Sequence, residues 1–383
     1  MALSRWADSL PEKMLALTVY KSMGRGMMCT ISARTSHVTL LIAMFLSCAG
    51  ALAQTVPADL LDVSLEDLFS ANVIDGETRG KRWHVSYTYG RSTFDEYRDG
   101  SDRLSYDDVL WSGPGEVKTR DNFPVVPTKI TQEVHSILLA YEVSDSLGVR
   151  VAVPFIEQST DHISIVPNYS DFNISSDGIG DVVAMVDYGF GTSLNSGWRV
   201  LGGLSFPTGS IDEEGDTPRA PGNQQLPYTM QIGSGTWDVP MALVYEKYGE
   251  QFNWGAELSG KVRLGENDRD YRLGHRAGLS IWSSVATQSG FSPGVKLSYS
   301  WQGEIEGEDA SLSIPNPAFP YPAPVTDPSA FGGQQIDLAI YVDFDIAGSW
   351  TGRLNYSKPI WLDLNGPQSA QNYHFGLTVT TGF

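Results

Sequence analysis

Five basic residues fall where a β-register would set them side by side. Lys261 and Arg263 lie in FNWGAELSGKVRL (252–264), Arg272 and Arg276 in the segment that follows, and Lys296 in the next. Successive side chains of a strand point to opposite faces, so Lys261 and Arg263 fall opposite Phe252, Trp254, Leu258 and Val262. Strands in a sheet lie about 4.8 Å apart, so the cations would form one wall, with Glu246 and Glu257 as facing acids. Two kinds of chemistry suit such a wall. One is a transverse field that sorts passing solutes by charge; the other is a salt-bridge network that fills a narrow interior. Arg150, Arg199 and Arg353 occupy the corresponding face of three further segments and complete the lumen-lining set.

Other chemistry finds less support. The histidines after residue 53 are His84, His135, His162, His275 and His374. Only His275 reads as outward on a strand, and no serine near it matches the arrangement of an outer-membrane phospholipase. No Gly-x-Ser-x-Gly elbow stands between a strand and a helix, and there are no paired zinc histidines and no phosphate-cradling glycine loop. The expectation is therefore a protein that is not an enzyme and takes no cofactor; a lipid-modifying barrel enzyme is the alternative. The acidic loops 209–216, 265–270 and 303–309 offer oxygen ligands of the kind Ca²⁺ or Mg²⁺ prefers. None has the spacing of a calcium loop, so no metal is expected. These loops suit instead a solvated outer face that meets lipopolysaccharide through divalent ions.

The elements that position these residues begin after an apolar run. VTLLIAMFLSCAGALA (38–53) follows Arg34 and ends on a small/any/small pattern, the form of a secretory signal. It is short of the roughly 20 residues a spanning helix needs, and it places the mature start at Gln54. Residues 1–53 are thus leader and signal, with Met27 or Met28 as alternative starts. Both cysteines, Cys29 and Cys48, fall in that leader, so the remainder has no thiol chemistry. The leader holds five of the 26 Lys+Arg and two of the 45 Asp+Glu, which leaves 21 basic against 43 acidic, a formal −22. Such a charge excludes a nucleic-acid partner. Residues 54–80 carry Ser64 and Asp67 at capping-box spacing with a leucine stripe, predicting one short periplasmic helix.

From Lys81 on, segments of about ten residues alternate in hydrophobicity, the length of a tilted membrane strand. Apolar side chains recur at Trp83, Val85, Tyr87 and Tyr89, at Leu147 to Phe155, at Trp198 to Phe206, at Pro293 to Trp301 and at Trp350 to Tyr356. The faces of the second and fourth segments are left open. Return strands are expected near 130–143, 179–188, 237–247, 271–286 and 335–344. Short polar turns near 144–146, 189–197, 248–251, 287–290 and 345–348 alternate with connections near 92–127, 157–177, 209–235, 265–270, 306–332 and 361–371, most of them long. That alternation belongs to an even-stranded barrel with both ends in the periplasm. The proline-rich fifth connection, with Phe319, Tyr321 and Phe331, is the candidate constriction loop; a structural or adhesion barrel acting through its loops is the competing reading. The chain closes on Tyr373, Phe375, Leu377, Val379, Thr381 and Phe383, in alternation with small or polar residues. Tyr373, Phe375 and Phe383 in this setting are similar to the signal read by the barrel-assembly machinery.

Four segments carry a family likeness: AYEVSDSLGVRVAVPF (140–155), GIGDVVAMVDYGF (178–190), LGGLSFPTGS (201–210) and NQQLPYTMQIGSGTWDVP (223–240). With Gly180, Asp181, Pro207, Thr208, Gly209, Gly233, Ser234 and Gly235, they resemble the outer-membrane transporter family named after the MetA pathway of phenol degradation. The likeness covers about 80–383. It implies an outer-membrane channel or transporter, and the family's name suggests aromatic compounds. The combined expectation is all-β: an antiparallel up-and-down barrel of twelve strands at 81–383, in contact with outer-membrane lipid and passing small solutes, aromatic or apolar ones among them, by passive diffusion through a charge-lined lumen.

Overall fold

The computed structural model describes residues 81–287, 289–316 and 320–383. The leader, the start at Gln54, the short helix and Phe319 lie outside the described residues. Ten extended elements succeed one another along the wall: β1 Trp83–Gly100, β2 Val125–Ser144, β3 Leu147–Ser164, β4 in two pieces (Asp171–Ile179 and Val182–Ser193), β5 Ser196–Phe206, β6 Trp237–Lys247, β7 Phe252–Leu264, β8 Arg276–Val285, β9 Phe291–Gln302 and β10 Gly333–Ala347. The last extended run, Trp350–Gly382, is 33 residues long. It is a hairpin. Residues 350–364 pair with β10 and residues 368–382 pair with β1, both antiparallel. Gly366, at φ 64°, supplies the turn between them. The two arms touch through Tyr356 and Tyr373, whose ring centroids are 6.0 Å apart, and through Lys358 Nζ donating to Asn372 Oδ1 at 3.2 Å. They are β11 and β12, so among the described residues the barrel has twelve strands, each antiparallel to its neighbours.

The terminal strand closes the ring. Val85 faces Thr381, Tyr87 faces Val379 and Tyr89 faces Leu377 in register. The chain's last amide, Phe383 N, donates to Trp83 O at 3.0 Å, and Trp83 N donates back to Phe383 O at 3.2 Å. Closure leaves the wall no unpaired edge, a requirement for backbone in lipid.

Which way the side chains point follows from what surrounds them. On β3 the outward residues Val149, Val151, Val153 and Phe155 are exposed, while Arg150, Ala152, Ile156 and Gln158 are buried. β7 repeats this, with Phe252, Trp254, Leu258 and Val262 outside and Glu257, Lys261 and Arg263 inside. The open faces resolve as well: Ile137 and Leu139 of β2, and Val186 and Tyr188 of β4, are exposed. This is the inverted polarity of a wall standing in lipid.

The first strands run well past the membrane. β1, β2 and β3 have 18, 20 and 18 residues, whereas about 9–11 tilted residues suffice to cross. Beyond Phe155 the outward positions of β3 become Glu157, Ser159 and Asp161, so the outer face turns polar where the lipid ends. Residues 157–164 and 171–177, expected as loop, therefore continue the β3–β4 hairpin. The stretch 361–364 and 368–371 is likewise strand and leaves only a tight turn. The missing signal was apolar alternation, which strands need in lipid and do not need above it.

Candidate functional site

Inside the wall, most basic residues are held by acids. Asp187 of β4 receives Arg150 Nε at 2.6 Å and Arg199 Nη1 at 3.3 Å, so one carboxylate ties β3, β4 and β5 together. Arg150 and Asp187 are each only 3% exposed. Gly148 makes the room: a Cβ there would stand 2.5 Å from Asp187 Oδ1. Arg263 Nη1 donates to Asp238 Oδ2 on the neighbouring β6, and Asp238 Oδ1 also accepts from Thr236 Oγ1 at 2.7 Å. Arg353 of β11 grips Asp343 of β10 with two bonds, 2.5 and 2.8 Å, and its guanidinium lies 4.6 Å from the Tyr341 ring centre. Bidentate guanidinium–carboxylate geometry is the strong form of such a pair.

The wall of β7, β8 and β9 carries four of the five expected cations, Lys261, Arg263, Arg276 and Lys296. Lys261 lies opposite Arg276 in register, and Glu257 lies four residues before Lys261 on the same inward face. Lys296 of β9 lies opposite Trp282 of β8. Lys261 is 2% exposed, whereas Arg276 and Lys296 are half-buried. Arg272 is not part of this wall. Tyr271–Arg272 pairs with Glu306–Gly307 outside the barrel sheet, and Arg272 Nη2 is ion-paired with Glu306. The alternation of 271–276 resembled a strand because Tyr271 and Leu273 are apolar, yet both are buried in a core among the loops. His275, which looked outward-facing, precedes β8 and accepts a hydrogen bond from Arg263 N at 3.1 Å on its Nδ1.

The interior also holds an apolar cluster beside these charges. Leu138, Ala152, Val183, Met185, Leu201, Ala242 and Val244, from β2 to β6, form one buried cluster against which Trp282 packs.

The outer mouth is occupied by loops. The sequence predicts residues 209–235, between β5 and β6, only as a long outer connection; in the structure Leu226, Tyr228, Met230, Gln231 and Ile232 are essentially fully buried. Gln158 Nε2 donates to Gln231 O at 2.8 Å and Ser176 Oγ to Met230 O at 2.6 Å, fixing this loop to the inner faces of β3 and β4. The motif residues form its seat. Asp181, at the break in β4, accepts from Gly209 N at 2.9 Å, from Ser234 N at 2.9 Å and from Ser234 Oγ at 2.6 Å. Thr208 Oγ1 donates to Gly180 O at 2.8 Å. Gly209 and Gly233 bring their backbones into contact: a Cβ on Gly233 would stand 2.4 Å from Gly209 O. The sequence showed these residues as a motif but gave no sign that they converge.

The fifth outer loop (303–332) packs beside it. Val125 N donates to Pro322 O at 3.1 Å, and Ala323 and Val325 join Phe94, Val125 and Ile130 in a core on β1 and β2. Phe331 meets the Tyr228 ring edge-on at 5.7 Å. Tyr321 Oη donates to Glu308 Oε2 at 2.5 Å and packs against Tyr97 and Val126. At the closing strand Phe375 and Phe383 are exposed on the lipid side, with Tyr373 half-buried beside Tyr356.

A closed ring of twelve antiparallel strands, apolar and aromatic outside and charged within, defines a transmembrane β-barrel of the bacterial outer membrane. A family model matches residues 126–349, and the chain belongs to that family, described as "Putative MetA-pathway of phenol degradation". No curated protein matches the sequence. Among solved structures, an outer membrane channel from Pseudomonas putida F1 is similar at a TM-score of 0.53 and 15% identity, covering 81% of this chain and 100% of that one. The translocator domain of the autotransporter NalP from Neisseria meningitidis is similar at a TM-score of 0.45 and 8% identity, covering 90% and 98%. At 15% identity the likeness to that channel is one of fold.

Proposed function

We propose that the protein is a passive outer-membrane channel for small solutes, apolar and aromatic ones among them. The observation that supports this most is the interior asymmetry. A buried apolar cluster on β2 to β6 adjoins, through Trp282, a wall that carries Glu257, Lys261, Arg276 and Lys296. A solute with an apolar body and a polar edge meets both kinds of surface within one lumen, and pore width and charge together would select it. Arg150, Arg199, Arg263 and Arg353 act in this reading mainly as rivets, because each shares a carboxylate with a neighbouring strand. The loops 207–236 and 303–332 form the constriction, with Tyr321 and Phe331 among its contacts. Tyr373, Phe375 and Phe383 present the assembly signal to the barrel-assembly machinery, and the acidic loops face lipopolysaccharide. The solved channel of similar fold supports this reading as an analogy of architecture.

The test is reconstitution of the full barrel into planar bilayers and liposomes. Measurable single-channel conductance is expected, together with swelling rates that rise from sugars to aromatic solutes of equal size. Deleting 314–331 should raise conductance if the fifth loop constricts the mouth. A reconstituted, folded barrel that passes neither ions nor solutes would end the channel reading.

A further inference from the structure

A cavity of about 350 Å³ lies at the outer mouth, above the lipid band, where the loops meet the overhanging ends of β2, β3 and β4. That volume lies within the range of small-molecule sites, roughly 300–1,000 Å³. Its walls are mostly apolar, with Trp111, Ile165, Phe172 and Ile174 among them. The His162 imidazole stacks on Phe172, with ring centroids 4.5 Å apart and planes 6° from parallel, so one wall carries a flat stacked pair. His162 Nδ1 donates to Thr160 O at 3.1 Å, and burial lowers its pKa to about 4, so the ring is neutral at ordinary pH.

Among the described residues, Arg219 is the one lining side chain with a full charge. Its Nη2 donates to Gln225 O at 2.7 Å, and no carboxylate among the described residues lies within ion-pair distance of it. Burial lowers its pKa, and the more distant charge of Asp309 offsets only part of that effect. A half-buried guanidinium without an ion-pair partner is costly unless an anion joins it, and its planar fork matches a carboxylate. The chain as a whole is acidic, with a net charge of −19, so a lone cation in an apolar cavity runs against the protein's general field.

We infer that this cavity is a capture site for a ring-bearing monocarboxylate, with the ring between Trp111 and Phe172 and the carboxylate on Arg219. The inference rests on the channel reading for its purpose, since a mouth site would load the pore, but the site itself is tested by binding.

The experiment uses the full chain folded in detergent micelles, with benzoate, benzamide and acetate as probes in isothermal titration calorimetry. Benzoate should bind at least ten-fold more tightly than benzamide, its neutral counterpart, and acetate should give no measurable binding. Arg219→Gln should reduce benzoate to the benzamide level, and Arg219→Lys should retain part of the preference. Ile174→Trp, which fills the cavity, should remove the binding of both rings while the barrel keeps its heat-modifiable mobility. Equal binding of benzoate and benzamide by the unmodified protein, or benzoate binding unchanged in Arg219→Gln, would overturn the assignment. Conductance separates the two proposals: a conducting barrel that ignores benzoate sinks the site alone, and a benzoate-binding barrel that never conducts sinks the channel alone.

Discussion

The lower and upper halves of this barrel use the same strands under opposite rules. Below Phe155, β3 turns Val149, Val151 and Val153 outward and buries Arg150. Above it, Glu157 and Asp161 face outward, and the interior fills with apolar groups such as Ile130, Ile174, Leu226 and Met230. Backbone pairing is continuous through the change, so the strand does not decide which face is apolar; the surrounding solvent does. The upper half is in effect a water-soluble core, built from strand ends and inserted loops, standing on a membrane wall.

The largest expected effect tests the lower interior. Asp187→Asn removes the carboxylate charge that Arg150 and Arg199 share, while Arg150 and residue 187 stay buried. Breaking a buried pair on one side costs about 3–5 kcal/mol. Urea unfolding in micelles, followed by the gel mobility of folded and unfolded forms, should show a loss of that size. A loss below about 1 kcal/mol would mean that water reaches the pair and the lumen is wide at this height.

Next comes the contrast between the two outer faces. Leu258 is 58% exposed near the middle of β7, where lipid surrounds it. Arginine on the lipid face costs about 2–4 kcal/mol at the midplane. Ser159 has the same outward orientation on the overhang of β3, where water surrounds it, and an exposed change there stays within about 0.5 kcal/mol. Leu258→Arg and Ser159→Arg, compared by the same unfolding measurement, should differ accordingly. Equal costs would erase the boundary drawn at Phe155.

The same boundary explains how much could be read from the sequence. The lower half was legible because lipid demands an unbroken apolar alternation, and FNWGAELSGKVRL shows it without exception over 252–264. The overhang was not, because Gln132, Gln158 and Thr160 are buried while Glu157 and Asp161 are exposed, leaving polar residues on both faces. Arg272 was misplaced for the converse reason: Tyr271 and Leu273 mark a loop core with the alternation that elsewhere marks lipid. The inward placement of Lys261, Arg263, Arg276 and Lys296 on β7–β9 followed from spacing, while that of Arg272 did not. The inserted loop 207–236 was not, since Met230, Gln231 and Ile232 carry no periodicity that distinguishes burial in a lumen from a turn.

Smaller in stability, and aimed at the joint between the halves, is Gly233→Ala. The added Cβ would stand 2.4 Å from Gly209 O, so the two backbones must part and the Asp181 bonds to Gly209 and Ser234 must loosen. Overpacking of this kind costs about 1–3 kcal/mol. Because the lower wall is untouched, the barrel should still form, while single-channel recordings show higher conductance or frequent stepwise openings as the loop leaves its seat. Unaltered conductance would show that the loop's position does not limit flow.

The smallest effect on stability is expected from Lys296→Gln, and it sharpens the comparison within the lower half itself. Lys296 is half-buried on β9, unlike Lys261 at 2% exposed, so solute and ions passing along that wall can approach it. A partly exposed charge contributes roughly 0–1 kcal/mol to folding, yet it contributes to the potential of a confined pore at close range. Removing it should shift the reversal potential in a salt gradient toward cation preference while the unfolding midpoint stays almost fixed. The shift should shrink in molar salt, where the screening length falls to about 3 Å. If selectivity is unmoved at low salt, the cations of β7–β9 hold the wall together and do not sort what passes through it.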